Sequence, residues 1–211
     1  MNGIRKFVHE ILTMQSINTK PYTYYEYREL VQSCADNNTC TGADKLPERI
    51  EATKLNIVRM NRLDKQVDLS PEVTDAIKKI SKKIKWLVLI ESWCGDGAQN
   101  IPVIVKMAAL NPNIELQIIL RDENPAIMDQ YLTNGTRSIP KLICYNAEGI
   151  ELDIWGPRPE KIKEMVKEYK QNNPGVSHDE FVKNLHLWYA KDRGNSLQED
   201  FLPLLKKWSV I

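Results

Sequence analysis

Histidine and closely spaced cysteines, the usual ligands of protein-bound zinc, are scarce in this sequence. Only three histidines (His9, His178 and His186) occur in 211 residues, and they are far apart. Neither a His-Glu-x-x-His nor a Cys-x-x-Cys spacing is present, and those spacings are what bring two ligands to one tetrahedral ion. We therefore expect no metal site.

Glycine-rich phosphate-binding motifs are absent as well. Gly95-Asp96-Gly97 is not followed by the Lys-Ser/Thr pair of a phosphate loop, and the glycine spacing of dinucleotide-binding folds does not occur. Such loops hold phosphates through their backbone N–H groups. We expect neither a nucleotide site nor any other cofactor.

The chain also lacks an excess of charge and a long apolar run. Its 29 Lys and Arg residues offset 28 Asp and Glu residues, so a net charge of +1 attracts neither nucleic acid nor an anionic membrane. No apolar run is long enough for a signal sequence or a membrane span. We expect a soluble cytoplasmic protein, in which four cysteines would remain without structural disulfides.

Helical patterns alone fill the first part of the chain. Apolar residues recur at intervals of three and four over residues 4–12, 24–34, 50–63 and 71–83. Residues 36–42 have the composition of a turn and predict an exposed loop. We expect residues 1–83 to form a helical N-terminal extension that packs on the remainder.

Strand patterns begin at residue 84. The apolar run at residues 86–90 predicts a strand over residues 86–91 that is buried on both faces, and later strand and helix patterns complete the order β-α-β-α-β-β-α. Two further helical patterns follow the stop at residues 172–175. We predict an α/β fold with its core at residues 84–172 and a helical C-terminal appendage at residues 173–211.

Cys94 is the residue best placed for chemistry. It follows the buried strand and precedes a helix that we expect to begin near Asp96. The unpaired N–H groups and the dipole of a helix N-terminus favour a thiolate, whereas the nearby Asp96 carboxylate disfavours it. We expect the helix to prevail and the pKa of Cys94 to be mildly lowered.

Three features around Cys94 resemble the thioredoxin superfamily, specifically bacterial thioredoxin-like proteins with extra flanking helices. The segment Trp93-Cys94-Gly95-Asp96-Gly97 is similar to the Trp-Cys-Gly-x-Cys active-site turn. Pro102 stands where thioredoxins carry a helix-kinking proline, and Ile139-Pro140 stands where they carry a cis-proline. The segments at residues 59–63 and 156–159 also look like this bacterial family.

The resemblance implies a thioredoxin-like core and a disulfide or thiol, on a protein or a small molecule, as substrate. It further implies that Cys94 is the catalytic residue, that Pro140 is cis and faces its sulfur, and that the Ile139 backbone binds an extended substrate. The remaining site residues are those of the active-site turn: Trp93, Gly95, Asp96 and Gly97.

Gly97 departs from the family pattern, because dithiol enzymes have their second cysteine at this position. That cysteine normally resolves the mixed disulfide formed by the first. Three alternatives stay open. Cys94 acts as a monothiol resolved by an external thiol, another cysteine substitutes, or the site binds a peptide without turnover.

The other cysteines give little support to substitution. Cys144 lies in a strand that the fold makes central, where a free cysteine behaves as a small hydrophobe. Cys34 and Cys40 lie in the helical extension, and their irregular spacing favours two unrelated thiols over a pair. An iron–sulfur cluster bridged by a monothiol glutaredoxin-like site is disfavoured by Trp93, Asp96 and Pro102.

The sequence thus favours a cytoplasmic monothiol thiol–disulfide oxidoreductase that acts through Cys94. The alternative is a non-catalytic thioredoxin-fold module that binds an extended peptide or protein segment in the groove between Cys94 and Pro140.

Overall fold

The computed structural model describes residue 17 and residues 19–211. The helix predicted over residues 4–12 lies outside the described residues. Within them the chain forms eight helices and four strands: α1 (Tyr24–Asp36), α2 (Pro47–Gln66), α3 (Pro71–Lys78), β1 (Ile84–Ile90), α4 (Gly95–Ala108), β2 (Ile114–Leu120), α5 (Pro125–Met128), β3 (Lys141–Asn146), β4 (Glu151–Trp155), α6 (Glu160–Asn172), α7 (His178–Asp192) and α8 (Asn195–Trp208).

The four strands form one sheet in the order β2-β1-β3-β4. β1 pairs with β2 in parallel and with β3 antiparallel, and β3 and β4 form the predicted antiparallel hairpin. The central strands β1 and β3 are apolar and almost wholly buried, as their continuous hydrophobic runs predicted. The predicted α/β fold, with its β-α-β-α-β-β-α core and additional helices, is confirmed.

The face of β1 that carries Trp86 and Ile90 is covered by two helices. Alternate residues of a strand point to one face. Trp86 packs against Phe201 and Trp208 of α8, with ring centroids 5.6 Å away in each case. Ile90 on the same face lies against Gly97 of α4. The C-terminal helix α8 is therefore part of the main hydrophobic core.

Two predictions about the first part of the chain need correction. The helix that we expected to reach residue 83 ends at Lys78, because the Asn111 side-chain amide binds the carbonyls of Ile77 and Ile80 at 2.7 and 2.9 Å. The loop over residues 36–42 is not wholly exposed, since Cys40 and Thr41 are buried. Within the part of the chain that the structure describes, no helix is long and apolar enough to span a membrane.

Candidate functional site at Cys94

Cys94 lies at the junction of β1 and α4 and is the N-cap residue of α4. Its sulfur accepts a hydrogen bond from the backbone N–H of Gly97 at 3.3 Å and donates one to the carbonyl of Ile139, also at 3.3 Å. The Ile139–Pro140 peptide bond is cis, as predicted. The sequence-predicted residues Cys94, Gly97 and Ile139 are therefore in direct contact.

The pKa of the Cys94 thiol is raised to about 12, so the predicted lowering is wrong. Burial is the largest cause, because Cys94 is only 7% exposed and removing a thiolate from water is unfavourable. The charge of Asp96 raises the pKa further, whereas the Gly97 N–H group, Arg158 and Arg121 lower it. The helix terminus acts as expected, but burial outweighs it.

Asp96 connects the active-site turn, residues 93–97, to two distant segments. One carboxylate oxygen accepts hydrogen bonds from Arg158, with Nε and Nη2 each at 2.8 Å. The other oxygen accepts the hydroxyl of Tyr189, from α7, at 2.8 Å. Asp96 therefore holds the segment before α6 and the helix α7 against the start of α4.

Two glycines allow these segments to approach the site. A Cβ atom on Gly95 would lie 2.8 Å from the imidazole of His186, so any other residue would require this α7 side chain to shift. Gly156 has φ +115° and a Cβ atom there would overlap the Pro140 carbonyl. The Gly156-Pro157-Arg158 segment can therefore pass directly against the Pro140 loop and present Arg158 to Asp96.

Gly97 occupies the place where dithiol relatives have their second cysteine. A Cβ atom at Gly97 would overlap Cδ1 of Ile90 and would lie 3.5 Å from the sulfur of Cys94. The space beside the sulfur is therefore partly filled by the end of a flexible side chain. A cysteine at position 97 would therefore require Ile90 to move within the hydrophobic core.

The residues before Cys94 are braced by the first part of the chain. The N–H group of Ser92 donates to the Thr41 hydroxyl at 2.8 Å, and the Ser92 carbonyl accepts from Asn56 at 2.7 Å. Trp93 lies beneath the guanidinium groups of Arg49 and Arg121, which are 4.3 and 4.9 Å from its ring centroid. The helical extension thus helps to position the active-site turn.

The other three cysteines are buried as free thiols. Burial raises the pKa of Cys34, Cys40 and Cys144, and it is the largest cause for each. Cys144 is wholly inaccessible in the central strand β3. Among the residues that the structure describes, no group of three or more His, Cys, Asp or Glu side chains is arranged to hold a metal ion.

A cavity of about 740 Å³ opens beside Cys94, and we call it the Cys94 cavity. Its walls come from α2, the active-site turn, residues 137–139, residues 157–158 and the first half of α7; they include Arg59, Cys94, Ile139, Arg158, Leu185 and His186. This volume is typical of small-molecule sites. The groove between Cys94 and Ile139 is therefore bounded by α7.

Sequence reasoning gave no role in this site to four residues that shape it. Tyr189 and His186 carried no signal, because they come from a helix far along the chain with an ordinary amphipathic pattern. Arg158 and Arg59 lie in the two segments that looked like the bacterial family, at residues 156–159 and 59–63. That likeness was the available signal, but it gave no role to either arginine.

The fold and the cysteine at the start of α4 beside a cis-proline define a thioredoxin-like protein. Residues 44–170 match a family model described as thioredoxin, so the chain belongs to the thioredoxin family. The match begins before α2, which we predicted to lie in an extension outside the core. The family model therefore includes the helix that supplies Arg49, Asn56 and Arg59.

Two solved structures are similar to this chain over most of its length. A protein of unknown function, PA1234 from Pseudomonas aeruginosa, is 20% identical with a TM-score of 0.55, and the match covers 88% of this chain and 98% of that chain. An HIV epitope scaffold for 4E10 is 19% identical with a TM-score of 0.52, covering 88% and 99%. At these identities the likeness supports the fold alone. No curated protein matches the chain.

His186 should make stability depend on pH. Burial, followed by the charges of Arg59, Arg158 and Arg62, lowers its pKa to about 3. Between pH 6.5 and 3 the unfolded chain therefore takes up a proton that the folded protein does not, and the free energy of unfolding falls as the pH falls. The contribution of one such group is up to about 1.4 kcal/mol per pH unit.

We expect His186→Gln to flatten this slope in urea unfolding measured from pH 7 to pH 4. The exposed His178, on the same helix, supplies the matched control His178→Gln. An equal slope in wild type and His186→Gln would contradict a half-buried imidazole that stays neutral over this pH range.

Proposed function

We propose that the protein is a monothiol thiol–disulfide oxidoreductase that reacts through Cys94. The observation that carries this proposal is the contact between the Cys94 sulfur and the Gly97 N–H group at the start of α4. A hydrogen bond to sulfur stabilises the thiolate that must form during exchange. The cis Ile139–Pro140 bond beside the same sulfur and the thioredoxin family match support the assignment.

The reaction consists of two exchanges. The Cys94 sulfur attacks one sulfur of a substrate disulfide, a bond forms between them, and the second substrate sulfur leaves and takes up the proton that Cys94 loses. An external thiol then attacks the substrate sulfur of the mixed disulfide and forms a new disulfide with it, while the bond to Cys94 breaks and Cys94 takes up the proton that the external thiol loses. Electrons are conserved in each step, so no further oxidant or reductant is required.

The main contribution of the protein to the reaction is to hold the substrate disulfide close to the Cys94 sulfur. With a pKa near 12, Cys94 rests as a thiol, and few molecules carry a thiolate at neutral pH. The Cys94 cavity compensates by holding a disulfide against the sulfur, which converts a bimolecular encounter into a reaction within one complex. Gly97, Arg158 and Arg121 favour the thiolate as it forms.

A ligand-binding module without turnover is the second candidate. The observation that favours it is the burial of Cys94, which keeps the sulfur protonated. In this function the Cys94 cavity would hold its ligand without covalent chemistry.

We expect bis(hydroxyethyl) disulfide to form one adduct, on Cys94, which dithiothreitol releases. At pH 7 the reaction should be slow, since a pKa far above 8.5 leaves little thiolate. The rate should rise about tenfold per pH unit up to pH 10. Intact-mass spectrometry over a time course measures it.

Cys94→Ser should give no adduct, whereas Cys144→Ser, which alters a buried thiol remote from solvent, should retain it. If wild type remains unmodified up to pH 10 by this neutral disulfide and by an anionic one, while still folded by circular dichroism, the oxidoreductase proposal is wrong and the ligand-binding module is favoured.

A second cysteine should convert the site to a dithiol enzyme only if Ile90 is shortened as well. Gly97→Cys alone overpacks the core against Ile90 Cδ1, and we expect a loss of about 1–3 kcal/mol in urea unfolding. Ile90→Val removes the overlapping carbon, so the double variant should regain most of that stability. It should then release a bound substrate thiol without external thiol.

Ile90→Val alone is the control for this design and should still require external thiol for release. A stable double variant that also requires external thiol would contradict the active-site geometry proposed for Cys94 and Gly97.

A further inference from the structure

We infer that the Cys94 cavity is a binding site for a small carboxylate-bearing disulfide or thiol, whose anionic group lies at Arg59 while its sulfur faces Cys94. The inference extends the proposed function by naming the substrate class, and its sulfur chemistry rests on that function. The anion site at Arg59 stands on observations of its own.

The position of α7 favours a small ligand over a protein segment. Phe181, Leu185 and His186 of α7 line the same cavity as Cys94 and Ile139. An extended protein chain that paired with the Ile139 backbone would have to displace this helix. Displacement would break the hydrogen bond from Tyr189 to Asp96 and the contact between His186 and Gln99 at 3.1 Å. A molecule that fits within about 740 Å³ requires no such change.

Five arginines and four acidic residues line the cavity. Four of its arginines already have carboxylate partners: Arg49 with Asp44 at 3.3 Å, Arg121 with Asp122 at 2.7 Å, Arg137 with Asp129 at 2.7 Å, and Arg158 with Asp96 at 2.8 Å. Three other acidic residues line the cavity and pair with none of these arginines: Glu48, Glu51 and Asp179. All three are exposed to water. Most of the arginine charge is therefore neutralised by the protein itself.

Arg59 differs from the other four. Among the described residues it forms no ion pair, and its Nη1 atom donates only to the amide oxygen of Asn56, at 2.7 Å. Its side chain is partly buried, and burial together with the neighbouring Arg62 lowers its pKa by more than the charge of Asp96 raises it, so the cation is only partly compensated. An anionic ligand group would supply the missing charge and accept from the guanidinium.

The position of Arg59 fits a ligand that also reaches the sulfur. Its Nη1 atom lies 3.5 Å from where a Cβ atom of Gly95 would stand, and Gly95 is next to Cys94. Both Arg59 and Cys94 line the cavity. A small ligand whose carboxylate is only a few bonds from its sulfur would therefore contact Arg59 and Cys94 at the same time.

Three disulfides with short arms test this inference, because they differ mainly in charge: dithiodipropionate is anionic, bis(hydroxyethyl) disulfide is neutral and cystamine is cationic. The measured quantity is the initial rate of adduct formation on Cys94 at pH 9, by intact mass. Arg59→Gln should lower the rate with dithiodipropionate about tenfold, leave the neutral disulfide unchanged and not lower the rate with cystamine.

Lys65→Gln is the charge-matched control. It removes one positive charge from the same helix, at a residue that does not line the cavity. It should change none of the three rates by more than about twofold. If Arg59→Gln changes the three rates equally, or not at all, the inference is wrong while the proposed oxidoreductase function stands.

A non-covalent measurement separates the two claims if Cys94 reacts with none of the disulfides. Thiodipropionate, a thioether that cannot exchange, is titrated into Cys94→Ser and into Cys94→Ser with Arg59→Gln by calorimetry. Binding that is lost with Arg59→Gln supports the anion site even though the exchange function has failed. Absence of binding to Cys94→Ser overturns the site.

Discussion

The carboxylate of Asp96 is the interaction on which the rest of the site depends. It accepts from Arg158, which lies 62 residues away, and from Tyr189, which lies 93 residues away. As a negative charge in the first turn of α4 it also suits the positive end of that helix. The same group therefore joins the active-site turn to two distant segments and sets the charge beside the sulfur.

This arrangement explains why the thiol is buried and protonated. With α7 held at the site, the imidazole of His186 lies against Gly95 and Cys94 is left only 7% exposed. Burial raises the pKa of Cys94 and Asp96 raises it further, more than the Gly97 N–H group and two arginines lower it. What the protein offers a substrate is accordingly a cavity lined by an only partly compensated cation, Arg59, more than an activated sulfur.

Much of the fold could be predicted from local pattern. The apolar run at residues 86–90 predicted a central strand, and Pro140 was expected to be cis from its family position. The pKa of Cys94 could not be predicted, because burial there depends on α7, whose amphipathic pattern predicts a helix without saying which surface it covers. The burial of Cys40, in a segment of turn-like composition, could not be predicted either, because it depends on contacts distant in sequence. The neighbouring Thr41 is hydrogen-bonded to Ser92, 51 residues later.

The pH titration of the Cys94 thiolate tests the account most directly. Thiolate absorbance near 240 nm is followed from pH 5 to pH 10.5, with Cys94→Ser as the baseline, for wild type and Asp96→Asn. We predict no detectable thiolate absorbance from Cys94 below pH 10 in wild type. In Asp96→Asn the pKa should fall but remain above 8.5, because burial is the larger cause. A wild-type pKa at or below 8.5 would contradict the account.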